Sequence, residues 1–219
     1  LRTPGAIQTF EPMLSEHDDR EPGARDSTRE TLIRAVVDTL VDAKEDLDAL
    51  DAKVGDGDTG TTFAAGARAV AQALDDGALS SGDDARLAHE IGDILARDMG
   101  GSSGVLLSIL CTATGAALAD GESWSAALRR GVARMQHYGG AKRGDRTLLD
   151  ALIPAIDALA DGADLTNAAQ QARAGADETR AMTHANAGRS AYVREDALRD
   201  LTDPGAEAVA RLWERLAEG

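Results

Sequence analysis

The chain has 219 residues and a mass of 22.7 kDa, and its 38 acidic against 23 basic residues give a formal net charge of −15. This length suits one domain, or one domain with a tail. Neither nucleic acid nor an anionic membrane surface is an expected partner, because both require clustered lysine and arginine. No stretch is expected to be long and apolar enough to span a membrane.

Cysteine and histidine usage indicates the cellular setting and excludes some chemistry. The single cysteine, Cys111, cannot form an internal disulfide and falls in an apolar helical run, so it is predicted to be an inert core thiol. The four histidines lie in unrelated contexts and support neither a zinc site nor a nucleophilic triad. A reducing, cytoplasmic setting is predicted.

The N-terminal segment differs from the rest of the chain. Residues 1–26 mix prolines, glycines and charges without an apolar period, which predicts a flexible leader or interdomain linker. The helical body is predicted to begin at Ser27, because Ser27 and Glu30 have the spacing of a capping box. The predicted organisation is therefore a leader over 1–26 and one domain over 27–219.

The remainder of the sequence predicts an all-α fold. Apolar residues recur every three or four positions, glycine or Asp-Gly pairs separate the periodic segments, and aromatic residues make up only 3% of the chain. Alanine dominates the apolar positions, which favours closely packed helices in a bundle. Eight helices are predicted, over about 27–50, 60–74, 83–97, 103–118, 123–137, 147–160, 166–184 and 204–217.

The densest polar cluster lies between the first two predicted helices. Asp51, Asp56 and Asp58 have the spacing D-x4-D-x-D, with Gly55 and Gly57 permitting a tight turn. Three carboxylates held together repel one another unless they bind a cation, and oxygen-only ligands indicate Mg²⁺ or Ca²⁺. The alternative is a solvated turn that caps the next helix.

The same segment resembles two well-known loops without matching either. Counting from Asp56, positions five, six and twelve of an EF-hand loop would be Gly60, Thr61 and Ala67, which excludes that motif. Gly55–Thr62 has the form G-x4-G-T-T, a Walker A loop without its lysine. A glycine-rich turn that opens a helix still offers N–H groups to phosphate, and a carboxylate-bound metal could supply the positive charge.

Three further clusters lie between predicted helices. Within 100–104, two adjacent glycines are followed by two serines at a helix start, which suits an anion or is an ordinary capped turn. Gly139–Thr147 gathers Lys142, Arg143 and Arg146, which could face an anionic ligand or an acidic partner, or could solvate a loop. The fourth cluster combines 188–192 with a later Asp-Pro-Gly segment, 203–205.

These clusters, in this order, resemble the nucleotide-binding L subunit, or L domain, of dihydroxyacetone kinases. The resemblance runs from about Thr31 to the C-terminus, and the ordered set is more specific than any single motif. It implies an antiparallel eight-helix barrel whose mouth holds ADP or ATP with two Mg²⁺ ions. The matching segments are 50–51 with 55–58, 100–104, 144–150, 188–189 with Tyr192, and 203–205.

The resemblance also implies roles for individual residues. Asp51, Asp56 and Asp58 would bind Mg²⁺, and no catalytic residue separate from the metal and nucleotide site is implied. The residues implied to bind the nucleotide are Thr59, Gly60, Thr61, Thr62, Gly101, Ser102, Ser103, Gly139, Leu148, Arg189, Asp203, Pro204 and Gly205.

The implied activity is transfer of the γ-phosphoryl group of ATP to dihydroxyacetone or a related short ketose held on a separate K component. The chain alone would then be inactive. Two departures stand out. Thr59 replaces the His of many separate L subunits and is more like single-chain kinases, and residues 194–202 depart from the usual lid-like sequence before Asp-Pro-Gly.

Two other functions remain open at this point. The Asp-Gly-Asp-Thr-Gly-Thr segment is shared with the nucleotide-binding domain of fatty-acid kinases, although the Gly-Gly-Ser-Ser-Gly segment favours the dihydroxyacetone type. A non-catalytic subunit could instead hold ADP permanently and communicate with a phosphocarrier protein or a transcription regulator. Release of ADP distinguishes a kinase component from such a subunit.

Overall fold

The computed structural model describes residues 22–80 and 82–218, and within them all regular structure is helical. The all-α class is therefore confirmed for the described part of the chain. Two short 3₁₀ turns, at 179–181 and 189–192, accompany the α-helices. These are α1 (Pro22–Asp42), α2 (Lys44–Asp51), α3 (Thr59–Asp75), α4 (Asp84–Asp98), α5 (Gly101–Ala119), α6 (Trp124–Gly139), α7 (Leu149–Ala160), α8 (Leu165–Glu178), α9 (Glu195–Leu198) and α10 (Pro204–Glu218).

The first predicted helix differs from the observed one at both its start and its middle. Helix α1 begins at Pro22, a residue suited to the first turn, so Ser27 lies inside the helix and does not begin it. A turn at Ala43 then divides the predicted helix into α1 and α2. One turn before the break, the Thr39 hydroxyl donates to the carbonyl of Ala35, a bond that commonly bends helices. Residues 1–21, predicted as leader, lie outside the described residues.

The C-terminal third also departs from the prediction. Helix α8 ends at Glu178 rather than near His184, and its last turn tightens into a 3₁₀ turn. There the Thr179 hydroxyl donates to the carbonyl of Ala176 and accepts from the backbone N–H of Asp203. The helix therefore stops where its end is tied to the start of α10. Between these points the four-residue helix α9 was not predicted.

The long helices form a closed ring. Helix α1 packs against α3, each helix from α3 to α8 packs against the next, α8 packs against α10, and α10 returns to α1. Helix α2 continues α1 and packs against α3 and α10. Because short connections join the consecutive helices, neighbours run antiparallel. With α1 and α2 counted as one broken helix and the four-residue α9 left out, the described residues form the predicted eight-helix barrel.

Small residues allow this close packing. A Cβ on Gly115 would meet the carbonyl oxygen of Ala85 across the α5 and α4 interface, and one on Gly131 would meet the hydroxyl of Thr114 across the α6 and α5 interface. Side-chain caps begin several helices, since Asp83, Ser123 and Asp164 each accept a backbone N–H from the first turn of their helix.

The interior of the ring is apolar and closes on a buried ion pair. Leucine, valine, isoleucine, alanine and Trp213 form two core clusters around a cavity of about 410 Å³. At the end where α4 and α6 begin, Arg29 pairs with Asp84, which also accepts from the indole N–H of Trp124. Burial raises the pKa of the Cys111 thiol to about 12, which agrees with an inert core thiol.

The sequence predicted that no stretch is long and apolar enough to span a membrane, and by length and composition this prediction was wrong for one helix. Helix α5 is 19 residues long and carries no charged side chain, so it meets the length and hydropathy of a membrane span. Glycine, serine and threonine interrupt the apolar residues of α5, so a count of large apolar residues alone underestimates its mean hydropathy. In the structure α5 occupies a place in the ring between α4 and α6.

Candidate functional site

A cavity of about 420 Å³ opens at one end of the ring. The first residue of each of four helices lines it, namely Thr59 of α3, Gly101 of α5, Leu149 of α7 and Pro204 of α10. The positive ends of four helix dipoles therefore face one cavity, which favours an anion in a chain that is otherwise strongly acidic.

Three carboxylates meet at the edge of this cavity. One oxygen from each of Asp51, Asp56 and Asp58 lies within 4.8 Å of the others. Asp51 is buried, whereas Asp56 and Asp58 are exposed. The set offers only oxygen ligands, which fits a hard cation such as Mg²⁺. The structure thus brings together the three residues that the sequence predicts as metal ligands.

The buried carboxylate is fixed by the loop it helps to fold. Its Oδ2 accepts from the backbone N–H groups of Asp58 and Thr59, at 2.9 and 3.1 Å. Gly55 passes so close to Asp51 that a Cβ there would collide with Oδ1. Glycine is thus required at position 55 by this close approach.

Asp48 supports the same helix start and was not singled out from the sequence. Its carboxylate accepts from the backbone N–H and the hydroxyl of Thr61, both at 2.8 Å, and from Lys44 at 3.0 Å. Burial acts to raise the pKa of Asp48, but these hydrogen bonds outweigh it and lower that pKa below its usual value. Asp48 is therefore an ionised cap at the α3 N-terminus.

The N-terminus of α5 is built differently. Gly100 and Gly101 have positive φ values of 77° and 61°, and no side chain caps the helix. A Cβ on either glycine would meet nothing within 4 Å. With Ser102 and Ser103 also lining the cavity, this terminus offers backbone and hydroxyl donors to an anion.

The loop before α7 is held by two aspartates. Asp145 accepts from the backbone N–H of Lys142 at 2.8 Å, and Asp150 accepts from that of Thr147 at 2.7 Å. Between them Arg146 adopts a left-handed backbone conformation, with φ of 61°, and its side chain lines the cavity. The Gly-Asp-Arg-Thr segment is therefore an ordered wall of the site.

Asp203 begins α10 beside this loop. Its Oδ1 accepts from the backbone N–H of Ala206 at 2.9 Å, and its Oδ2 lies 3.9 Å from Nη1 of Arg146. Burial raises the pKa of Asp203 to about 6, although its hydrogen bonds and Arg146 act in the opposite direction. Asp203 is therefore a buried acid that joins the α10 terminus to the loop before α7.

The segment between α8 and α10 contacts both the loop before α7 and the loop of the carboxylates. Asn186 donates from its side chain to Asp145 at 3.0 Å. Val54, in the loop of the three carboxylates, is fully buried against Ala185 and Leu198. Residues 182–203 are therefore packed on the site, although positions 194–202 depart from the usual sequence.

Most residues predicted for the nucleotide reach the cavity, but two do not. Gly60 packs against the carbonyl of Lys44, and Thr61 bonds to Asp48, so neither lines the cavity. The side chain of Arg189 lies outside the described residues, while its neighbours Gly188 and Ser190 line the cavity. The predicted residues that do line it are Asp51, Asp56, Asp58, Thr59, Thr62, Gly101, Ser102, Ser103, Gly139, Leu148, Asp203, Pro204 and Gly205.

Sequence reasoning missed other parts of the lining. Phe63, Leu106 and Met135 lie inside helices, where their spacing marks them only as core positions. Arg146 was noticed as part of a basic cluster but not assigned to the site, and its burial is the feature that separates it from Lys142 and Arg143.

Comparison with known proteins agrees with this geometry. The model of the DAK2 domain family matches residues 53–218. A dihydroxyacetone kinase of Citrobacter freundii is 47% identical over 188 residues, which are 85% of this chain and 34% of that protein. The triokinase/FMN cyclase of Homo sapiens is 36% identical over an alignment of 223 positions, which covers 97% of this chain and 38% of that protein. The chain spans about a third of the length of these relatives.

Solved structures give the same result. The crystal structure of the C. freundii dihydroxyacetone kinase in its native form matches with a TM-score of 0.80 at 40% identity, covering 100% of this chain and 38% of that one. The structure of the same enzyme in complex with AMP-PNP and Mg²⁺ matches with a TM-score of 0.77. The chain therefore belongs to the DAK2 domain family, the L-type component of dihydroxyacetone kinases.

Proposed function

We propose that this chain is the nucleotide- and Mg²⁺-binding component of a kinase for dihydroxyacetone or a related short ketose. The ketose would be held on a separate K-type component, and ATP would supply the phosphoryl group. The proposal rests on one observation: three carboxylates stand at the edge of a cavity that is also lined by the first residues of four helices.

The metal part of the proposal follows from charge. Asp51, Asp56 and Asp58 would hold Mg²⁺, and the resemblance implies two such ions. When bound, Mg²⁺ would supply positive charge that neutralises the charge developing during transfer. No further carboxylate or histidine in the described cavity lining is needed as a general base.

Nucleotide binding is supported by two kinds of residue that line the cavity, hydrogen-bond donors and apolar side chains. Ser102, Ser103 and the uncapped N-terminus of α5 offer donors to the phosphates. Leu106, Met135 and Leu148 give an apolar wall on which a base can lie, and a Cβ on Gly139 would collide with Leu106. The cavity therefore suits a ligand that is anionic at one end and flat and apolar at the other.

A partner domain is supported by exposed apolar residues that are close in sequence to the cavity lining. The large hydrophobic side chains that stay exposed among the described residues are Val105, Tyr138 and Tyr192. Each lies within two residues of a lining residue, namely Leu106, Gly139 and Ser190. Exposed apolar side chains near a polar site suit a covering protein surface. The relatives named kinases are about two and a half times as long as the chain, which leaves room for a K-type domain.

Thermal unfolding of the chain tests the binding proposal. With ADP and Mg²⁺ together at about 100 times Kd, linkage predicts roughly 2.7 kcal/mol of added stability, and neither ligand alone should give it. Asp56→Asn should weaken Mg²⁺-dependent ADP binding by well over about tenfold, because it removes a charged ligand. Asp76→Asn is the matched control, since Asp76 is exposed about 25 Å away at the other end of α3.

Phosphoryl transfer tests the assignment to a kinase. Dihydroxyacetone phosphate should form from ATP only when a K-type component is added to the chain. If Mg²⁺ and ADP give no shift in unfolding, after bound nucleotide has been excluded by extraction and mass analysis, the proposed function is wrong.

Exchange of labelled ADP separates this function from a subunit that holds ADP permanently and receives phosphate from a phosphocarrier. A kinase component releases ADP at every turnover, whereas such a subunit retains it. The names of the relatives, dihydroxyacetone kinase and triokinase, favour release and disfavour a fatty-acid kinase. The cytoplasmic setting stays a prediction.

A further inference from the structure

Arg146 is in an unusual environment for an arginine. Its side chain is fully buried, and Arg146 is one of the residues that line the cavity. Its backbone has a φ of 61°, which is costly for a residue with a side chain. Among the lining side chains that the structure describes, Arg146 supplies the one positive charge, against the carboxylates of Asp51, Asp56, Asp58 and Asp203.

The guanidinium is only partly satisfied by the chain. Nη2 donates to the carbonyl of Leu201 at 2.7 Å, but Nε and Nη1 are buried without a hydrogen-bond partner in the described part of the chain. The carboxylate of Asp203 stays 3.9 Å from Nη1, too far for a hydrogen bond. Buried donors of a charged group are costly when unpaired, so such a group is retained where a ligand supplies acceptors.

We propose that Arg146 is a phosphate-binding residue of the nucleotide site, with Nε and Nη1 donating to phosphate oxygens. This inference rests on the proposed function and adds to it a cation from the protein itself. The segment Gly55–Thr62 lacks the lysine of a Walker A loop, and Arg146 supplies a positive charge from the loop before α7. Its bond to Leu201 connects the phosphate to residues 182–203, which cover the metal loop.

The test measures affinity rather than turnover. Arg146→Met and Arg146→Lys are titrated with ADP in the presence of Mg²⁺, and inorganic pyrophosphate with Mg²⁺ is used as a competitor for the same site. Loss of a charge-assisted hydrogen bond predicts a weakening of about tenfold to hundredfold in Arg146→Met for both ligands. Arg146→Lys keeps the charge and should recover part of the loss.

Two matched variants separate this role from a structural one. Arg143→Met removes an exposed arginine of the same loop, whose partner is Glu178, and should leave both affinities unchanged. Asn186→Ala loosens residues 182–203 by removing their side-chain bond to Asp145, without removing a charge from the cavity. Asn186→Ala should change the affinity for pyrophosphate by less than about twofold, a much smaller change than in Arg146→Met.

Several outcomes would overturn the inference. They are unchanged affinities in Arg146→Met, a loss for ADP with none for pyrophosphate, or an equal loss in Asn186→Ala. If wild-type protein does not bind ADP with Mg²⁺ at all, the proposed function fails before this inference is reached. If Arg146→Met does not fold, Arg146→Lys decides, because a residue that binds phosphate through two donors should lose affinity even when its charge is kept.

Discussion

Two helix N-termini face the same cavity and are built for opposite charges. At the start of α3, carboxylates of the chain already take the backbone N–H groups of Asp58, Thr59 and Thr61. At the start of α5, two glycines with positive φ leave the first turn without a side-chain cap and open to the cavity. Both ends carry the same dipole, so the neighbouring side chains decide which ion each end attracts.

This difference explains how a chain of net charge −15 can hold a polyanion. On the proposed function, the α3 end would be a cation site, because Asp48 and Asp51 take its N–H groups, and the α5 end would be an anion site. A metal–phosphate pair would then meet a matching charge at each end. The comparison predicts that the two ends can be disabled separately.

The largest effect is expected at the α3 end from Gly55→Ala. The new Cβ would collide with Oδ1 of Asp51, so this carboxylate has to move away from Asp56 and Asp58 and from the N–H groups it caps. Mg²⁺-dependent ADP affinity should fall by about a hundredfold or more, measured by calorimetry. Gly82→Ala is the control, since a Cβ there meets nothing within 4 Å. Equal affinities of the two variants would contradict the role given to Asp51.

At the α5 end, Gly101→Ala should reduce ADP affinity less than Gly55→Ala does, and it should not affect Mg²⁺ binding. A side chain at φ of 61° costs about 1–2 kcal/mol, so the first turn of α5 is expected to shift at a position that lines the cavity. ADP affinity should fall about tenfold while Mg²⁺ binding without nucleotide is unchanged, because the carboxylates are untouched. Gly121→Ala, at φ of 83° in a turn between α5 and α6, should cost similar stability without affecting ADP. If both variants bind ADP equally, the α5 terminus is not a phosphate site.

The same comparison marks how far sequence reasoning extends. The carboxylate cluster was predictable because Asp51, Asp56 and Asp58 lie within eight residues, so that one turn can gather them. The open start of α5 was predictable because Gly-Gly-Ser-Ser is itself a local signal. The ring was predictable in its helix number, because the apolar period of three and four covers most of the chain.

What could not be predicted depends on contacts distant in sequence. Arg146 is distinguished from its basic neighbours by burial under Leu201, which is 55 residues away. Gly60 and Thr61 belong to the predicted motif, but the motif does not say which side of the first helical turn faces the ligand. That is set by the approach of α2, whose Lys44 carbonyl and Asp48 carboxylate occupy the other side.

The smallest effect is expected from a substitution on the side of the first α3 turn that faces away from the cavity. Two adjacent threonines, Thr61 and Thr62, allow the comparison. Thr61→Val removes the hydroxyl bonded to Asp48 but keeps the backbone N–H bond to the same carboxylate, so the free energy of unfolding should fall by only about 1 kcal/mol. Its ADP affinity should stay within about twofold of wild type, because Thr61 does not line the cavity. Thr62→Val, at a position that lines the cavity, should weaken ADP binding several-fold. If Thr61→Val weakens ADP as much as Thr62→Val does, both hydroxyls contact phosphate and the α3 terminus is an anion site like that of α5.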